Sequence, residues 1–227
     1  MILFIGLASL LLLGFLPQWW VKKVFAAYGD DRGDFPGTGG QLVEHLIETL
    51  KIEQARVDVH QTQNHFDPDT RTIALTPLYH QGKSLTAITV AAHELGHLIQ
   101  QEQGNILLKL RTGLVRLTQK IDRFGMVVLI LMPFAGLLTR SPALMLLMTG
   151  FGLSGMLVNV LVHLVTLPME LDASFGKALP LLVKGEYITR EDEPKARRIL
   201  WAAALTYLAS ALSSLVNLGY WLRVLRR

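Results

Sequence analysis

The spacing of polar and apolar positions changes several times along the chain, and each change marks an element. Residues 1–20 form one apolar run, "MILFIGLASLLLLGFLPQWW", with Lys22 and Lys23 directly after it. No basic residue precedes this run and no clear small-residue cleavage site follows, so it predicts an uncleaved membrane anchor, not a secretory signal. Trp19 and Trp20 suit the lipid–water boundary. After a Gly/Asp-rich turn at 28–40, Leu42, Leu46 and Leu50 recur at helical spacing among charged residues, which predicts a short amphipathic helix. "ARVDVH" (55–60) predicts a strand. "NHFDPDTRTIALTP" (64–77) predicts a turn and then a strand, with Ile73 and Leu75 on one face. A helix follows from Ser84 to Gln103, with Ser84 as its N-cap and Gly104 just past its end.

Beyond Gly104 the pattern is helical and apolar. On a helical wheel of 105–123, Leu107, Leu110, Leu114, Leu117 and Ile121 share one side, and Lys109, Arg116, Lys120 and Arg123 another. This is the pattern of a basic amphipathic helix at a membrane surface, or of one packed on the rest of the protein with a solvated basic face. Three apolar stretches follow, at 125–139, 142–167 and 199–222. The last two reach the length of about 20 residues that a bilayer core requires; the first is marginal. "GFGLSG" (150–155) supplies small residues that let helices approach closely. Residues 168–198 are charged, with Thr189 as a candidate cap for the last helix.

Composition agrees with this pattern. Apolar residues make up 51% of the 227 and charged residues 18%, against about 25% charged in soluble domains, so the chain reads as a membrane protein. There is no cysteine, which excludes a disulfide framework and thiolate metal ligands. The net charge of +4, without basic-aromatic clusters, suits an anionic lipid surface and argues against a nucleic-acid partner.

The candidate chemistry lies in "AAHELGHLIQQEQG" (91–104). Helical positions i and i+4 stand about 40° apart around the axis, so His93 and His97 present their imidazoles to one point, as two ligands of a tetrahedral Zn2+ would. Glu94 is rotated about 100° from His93 and can reach the open coordination position without binding the metal. Zinc lowers the pKa of a water there toward about 7, and a neighbouring carboxylate can take the proton and pass it to a leaving amine. Two histidines flanking a glutamate in this register on a helix are the signature of zinc peptidases.

A third ligand is required. Without cysteine it must be His, Asp or Glu, and residues 98–162 contain no His. Glu170 and Asp172, in "TLPMELDAS", stand where the third apolar stretch ends, with Pro168 predicted to kink or start a helix there. Two predicted spans separate the motif from this segment, and an even number of crossings returns the chain to the same face. Glu170 would also bring the +2 charge of zinc with two neutral histidines to +1.

"NHFDPDTRTIALT", "SLTAITVAAHELGHLIQ" and "TLPMELDAS", with an N-terminal anchor and three later apolar stretches, resemble the neutral zinc metallopeptidases of bacterial membranes, the YugP-like group. The resemblance covers most of the chain and implies a gluzincin-type membrane peptidase with His93, His97 and Glu170 as ligands and Glu94 as general base and acid. "ELDAS" is also similar to the E-x-x-A-D-type segment of HtpX-type membrane proteases, with Glu170 at the ligand position. Ser174 stands where those carry Asp, and Asp172 is a candidate substitute for holding a histidine N–H. The resemblance further implies that 70–76 is the strand beside which a peptide would lie extended.

The expected fold class is mainly α, with multi-pass membrane helices and a small α+β zincin-like catalytic part. Its division is 1–22 anchor, 23–104 zincin-like part, 105–124 basic interfacial helix, 125–167 two membrane helices, 168–198 third-ligand segment and loop, and 199–227 last membrane helix. The expected partners are a peptide or protein substrate, membrane proteins among them, and the lipid bilayer. Two other readings stand beside this one: an intramembrane protease with Asp172 as third ligand, and a non-catalytic membrane scaffold or metal-binding protein. His163 and Tyr207 are candidates to stabilise an oxyanion, against an ordinary packing role. His45, His60, His65 and His80 read as surface or turn residues. Lys22, Lys23, the basic helix and the charges of 177–198 place the catalytic face in the cytoplasm, with Arg140, Arg223, Arg226 and Arg227 outside.

Overall fold

The structure, a computed structural model, describes residues 2–225 apart from 61 and 140; the side chains of 2–14 and of scattered positions between 122 and 156 and from 217 onward are not described. Arg140, Arg226, Arg227 and the Arg223 side chain, on which the expected orientation leans, therefore lie outside the described residues.

Eight α-helices, one π-helical segment and three strands are described. Helix α1 (Ile2–Ala27) runs five residues past the boundary expected at 22. Its last turns belong to the core: Val24 is buried, and Trp20, Val21 and Phe25 pack against the same cluster. Trp19 remains exposed, with the Lys23 ammonium 5.1 Å from its ring centroid. Helix α2 (Gly39–Thr49) starts at a capping box in which Thr38 and Gln41 satisfy each other's backbone N–H. It buries Leu42, Val43 and Leu46; Leu50, expected on the same stripe, is the C-cap and is exposed.

Strands β1 (Arg56–Val59), β2 (His65–Asp67) and β3 (Thr72–Leu75) form a mixed sheet in the order β1-β3-β2. β1 runs parallel to β3, from Arg56 opposite Thr72 to Val59 opposite Leu75, and β2 runs antiparallel, with Phe66 opposite Ile73. The segment expected as turn plus single strand is therefore a hairpin: Asp67 accepts from the Asp69 N–H and the Thr70 hydroxyl to close the bend between two strands. β3 is paired on both sides, so it offers no free edge to a peptide. Among the described residues the sheet's open edges are those of β1 and β2. The short helix α3 (Pro77–Gln81) then leads to α4 (Leu85–Glu102).

Helix α4 is capped by Ser84, whose Oγ accepts from the Ala87 N–H at 3.0 Å. It is buried nearly all round by Leu85, Ile88, Ala91, Ala92, Leu95 and Leu98. It closes on a left-handed Gly104 (φ +66°), with the Gly104 N–H bonded to Gln101 O and the Asn105 N–H bonded to Gln100 O, each at 2.9 Å.

Helix α5 (Ile106–Thr139) is one continuous element, so no break falls at 124/125 where the polarity changes. Helix α6 (Pro142–Leu171) runs through Pro168 and passes directly into the π-helical segment Asp172–Ala178, then α7 (Leu179–Lys184). A Cβ at Gly155 would lie 3.2 Å from Ile121 Cγ2, the close approach of α5 and α6 that the small residues predict. Thr189 does not cap the last helix, α8 (Glu193–Leu225). Just before that helix its hydroxyl donates to Asp192 Oδ2 and accepts from the Asp192 N–H. Two stretches among the described residues, Leu157–Lys184 and Glu193–Val216, are long and apolar enough to cross a membrane. The architecture is thus mainly helical with a small three-stranded mixed sheet.

Candidate metal centre

His93 and His97 stand one turn apart on α4, their ring centroids 4.8 Å from each other. Glu170 arrives from the last turn of α6, after the α5–α6 hairpin has returned the chain to α4. Its Oε2 lies 3.0 Å from His93 Nε2 and 3.5 Å from His97 Nε2. The donor atoms of the three side chains all lie within 4.8 Å of one another, and they could hold a metal ion. Two donors at about 2.0–2.1 Å from a tetrahedral zinc stand about 3.3 Å apart, which the two imidazole–carboxylate separations match. The donor set, two imidazoles and one carboxylate, also suits zinc.

Burial sharpens the electrostatics. Glu170 is 2% exposed, His97 7% and Glu94 8%. Burial disfavours a charge on His97, but the Glu170 carboxylate, hydrogen-bonded to it, and the nearby Glu94 carboxylate outweigh that and push its pKa up to about 9. Burial raises the Glu94 carboxyl; the two histidines oppose the rise and Glu170 adds to it. The cluster favours positive charge at its centre, as a cation site must.

The two imidazoles are held from behind by different groups. His93 Nδ1 lies 3.1 Å from Ser174 Oγ. His97 Nδ1 lies 3.0 Å from Gln100 Oε1, and Gln100 Nε2 donates to Asp172 Oδ2 at 2.7 Å. Asp172 is not in the metal-donor cluster. Two residues after Glu170 it is turned about 200° around the helix, and its carboxylate is taken by Gln100 and, at 3.3 Å, by Asn105 Nδ2. The reading with Asp172 as third ligand therefore fails on geometry. The direct contact expected between Asp172 and a histidine is replaced by one through an amide. Gln100 was not foreseen; its sign in the sequence is that it stands three residues after His97 and seven after His93, on the same helical face.

Gly96 lets the ligand segment close on the motif helix. A Cβ there would sit 2.7 Å from the Ala173 carbonyl oxygen, which is backbone and cannot swing away. His163 lies two turns before Glu170 on α6, outside the cluster. Tyr207 of α8 comes within electrostatic reach of Glu170, Glu94 and Arg111. His65, expected at the surface, sits on β2 close enough for its charge to bear on Glu94, with its ring 5.1 Å from that of His60.

The chain is thus mainly helical and gathers two histidines of one helix and a glutamate of another around a centre that could hold a metal ion. The chain belongs to the family described as "Putative neutral zinc metallopeptidase", which matches residues 2–226. It is 31% identical over 208 residues, 91% of this chain and 88% of the relative, to "Putative membrane protease YugP" of Bacillus subtilis (strain 168). No solved structure matches the chain.

Proposed function

We infer that the chain is a membrane-embedded zinc metallopeptidase of the gluzincin type. His93, His97 and Glu170 hold the metal, and Glu94 serves as general base and acid. The observation that carries this is the meeting of both Nε2 atoms on one Glu170 oxygen, with Glu94 buried beside them. When bound, zinc supplies a Lewis acid that eases proton loss from water near neutral pH and polarises the carbonyl to be cleaved.

The chain's own groups do the rest. The Glu94 carboxylate takes the proton that water gives up and delivers it to the departing amine nitrogen. The raised carboxyl suits this double duty, since a proton carrier works best with a pKa near the working pH. A substrate in extended form pairs with the free edge of β2 (His65–Asp67), which replaces β3 in that role. Membrane attachment is through α1, α5, α6 and α8, with Lys22, Lys23 and the charges of 177–198 on the cytoplasmic side, where the catalytic face lies.

The test is Glu94→Gln in the detergent-solubilised full chain, with zinc content and casein hydrolysis both measured. Zinc should be retained and hydrolysis should fall by about 10²–10⁴-fold. Unchanged hydrolysis would remove Glu94 from the reaction; bound zinc without hydrolysis in the wild type would leave a metal-binding membrane scaffold.

A further inference from the structure

We propose that Gln100 is a positioning residue of the metal centre: its side-chain amide fixes the tautomer of His97 and couples that imidazole to the Asp172 carboxylate. The proposal rests on His97 being a zinc ligand. Gln100 is fully buried. Its Nε2 donates to two oxygens that can only accept, Met169 O at 2.9 Å and Asp172 Oδ2 at 2.7 Å. Both amide hydrogens are thereby used. Turning the amide round would set its carbonyl against those two oxygens, so its orientation is decided by the network.

Gln100 Oε1 therefore faces His97 Nδ1, 3.0 Å away. An amide oxygen cannot donate, so the hydrogen of that bond is on Nδ1. In the neutral ring this leaves the lone pair on Nε2, the nitrogen that faces Glu170 Oε2. Ser174 gives His93 no such instruction, because a hydroxyl rotates to donate or to accept. The two ligands are thus held unequally, one by a fixed amide and one by an adaptable hydroxyl.

Asp172 anchors the far end of the relay. It also accepts from Asn105 Nδ2, and Asn105 is set by the left-handed turn at Gly104 that ends α4. Asn105 Oδ1 in turn accepts from the Leu107 N–H at 2.8 Å at the start of α5. Where a carboxylate takes a ligand's N–H directly, it orients the ring and raises its basicity. Here an amide stands between, so orientation is kept while the charge acts from one group further away.

The experiment is a thermodynamic cycle on the full chain in detergent, with zinc dissociation constants read by competition against a chromophoric chelator. Gln100→Leu should weaken zinc binding by about 10–100-fold. Asp172→Asn keeps an acceptor oxygen and loses the charge, and should weaken binding by less. The double variant should bind no more weakly than Gln100→Leu alone, because Asp172 acts through Gln100. Nitrogen-15 NMR of zinc-loaded wild type should show the His97 hydrogen on Nδ1, protected from exchange. That measurement decides the matter should Gln100→Leu fail to fold. A wild type that takes up no zinc overturns the metal site and this proposal together. Wild-type zinc affinity in Gln100→Leu, strictly additive effects in the double variant, or the hydrogen on Nε2 overturns this proposal alone.

Discussion

Two buried charged clusters tie distant parts of this chain together, and they are built on opposite principles. In one, Asp192 is 1% exposed and sits between Arg32 Nη1 and Lys195 Nζ, each at 2.9 Å, with the Thr189 hydroxyl at 3.1 Å. Asp34 also pairs with Arg32. Two carboxylates meet two cations, and the charge closes. In the other, Glu94 and Glu170 share a pocket with two imidazoles, and no Lys or Arg pairs with either carboxylate among the described residues. The first cluster fastens the segment after α1 to the start of α8. The second is electrically complete with a dication. Burial alone does not make a site; carboxylates answered only by imidazoles, which can exchange a proton for a metal, do.

The largest effect expected from breaking this contrast is at Asp192. Asp192→Ala leaves Arg32 with Asp34 alone and frees Lys195, and should cost about 2–3 kcal/mol in denaturant unfolding, the loss of charge-assisted hydrogen bonds to a buried carboxylate. Next comes Gly96→Ala, whose new methyl meets the Ala173 backbone. Overpacking of this kind should cost about 1–3 kcal/mol, and because it shifts the segment carrying Glu170 and Ser174, zinc affinity should fall with stability. A control at another buried glycine should lower stability alone.

Glu94→Gln should have the opposite sign. Burial and Glu170 raise the Glu94 carboxyl, so its charged form is disfavoured in the fold. In metal-stripped protein at pH 8 the variant should be more stable, read as a higher melting temperature. A loss of stability would mean that Glu94 is paired in the way Asp192 is.

The smallest effect is the acid response of the closed cluster. Burial would raise the Asp192 carboxyl, but hydrogen bonds from Lys195, Arg32 and Thr189 outweigh it and hold it below the usual range. A depressed carboxyl stabilises the fold above its unfolded pKa of about 3.9. That contribution is lost as pH falls through the folded value. Wild type should therefore lose stability below about pH 4, and Asp192→Asn should show a shallower loss in an acid titration followed by circular dichroism.

The histidine pair and Glu94 were legible because helical geometry fixes them locally, and Glu170 because two long apolar helices that pack on each other return the chain to the motif helix. Gln100 and Ser174 were not, since their roles depend on which oxygen atoms tertiary packing sets beside them. Gln100 sits in "HLIQQ", where a polar residue reads as a solvated helix end; only its place on the face of His93 and His97 marks it. β2 was hidden because three residues next to a tight bend carry no alternation to read, and its presence moved the free sheet edge away from β3. The fusion of the basic and apolar halves into α5 was hidden because the change of polarity at 124 looks like an element boundary, yet only Gly125 stands there and no proline. The π-helical segment at 172–178 has no sequence sign at all; within it Ala173 lies against Gly96.

The most direct test of the account is metal content by mass spectrometry on the purified full chain, comparing wild type with Glu170→Ala and Asp172→Ala. The account expects about one zinc per chain in wild type, close to none in Glu170→Ala, and a reduced but clear content in Asp172→Ala. Wild-type zinc in Glu170→Ala, or loss confined to Asp172→Ala, would contradict it.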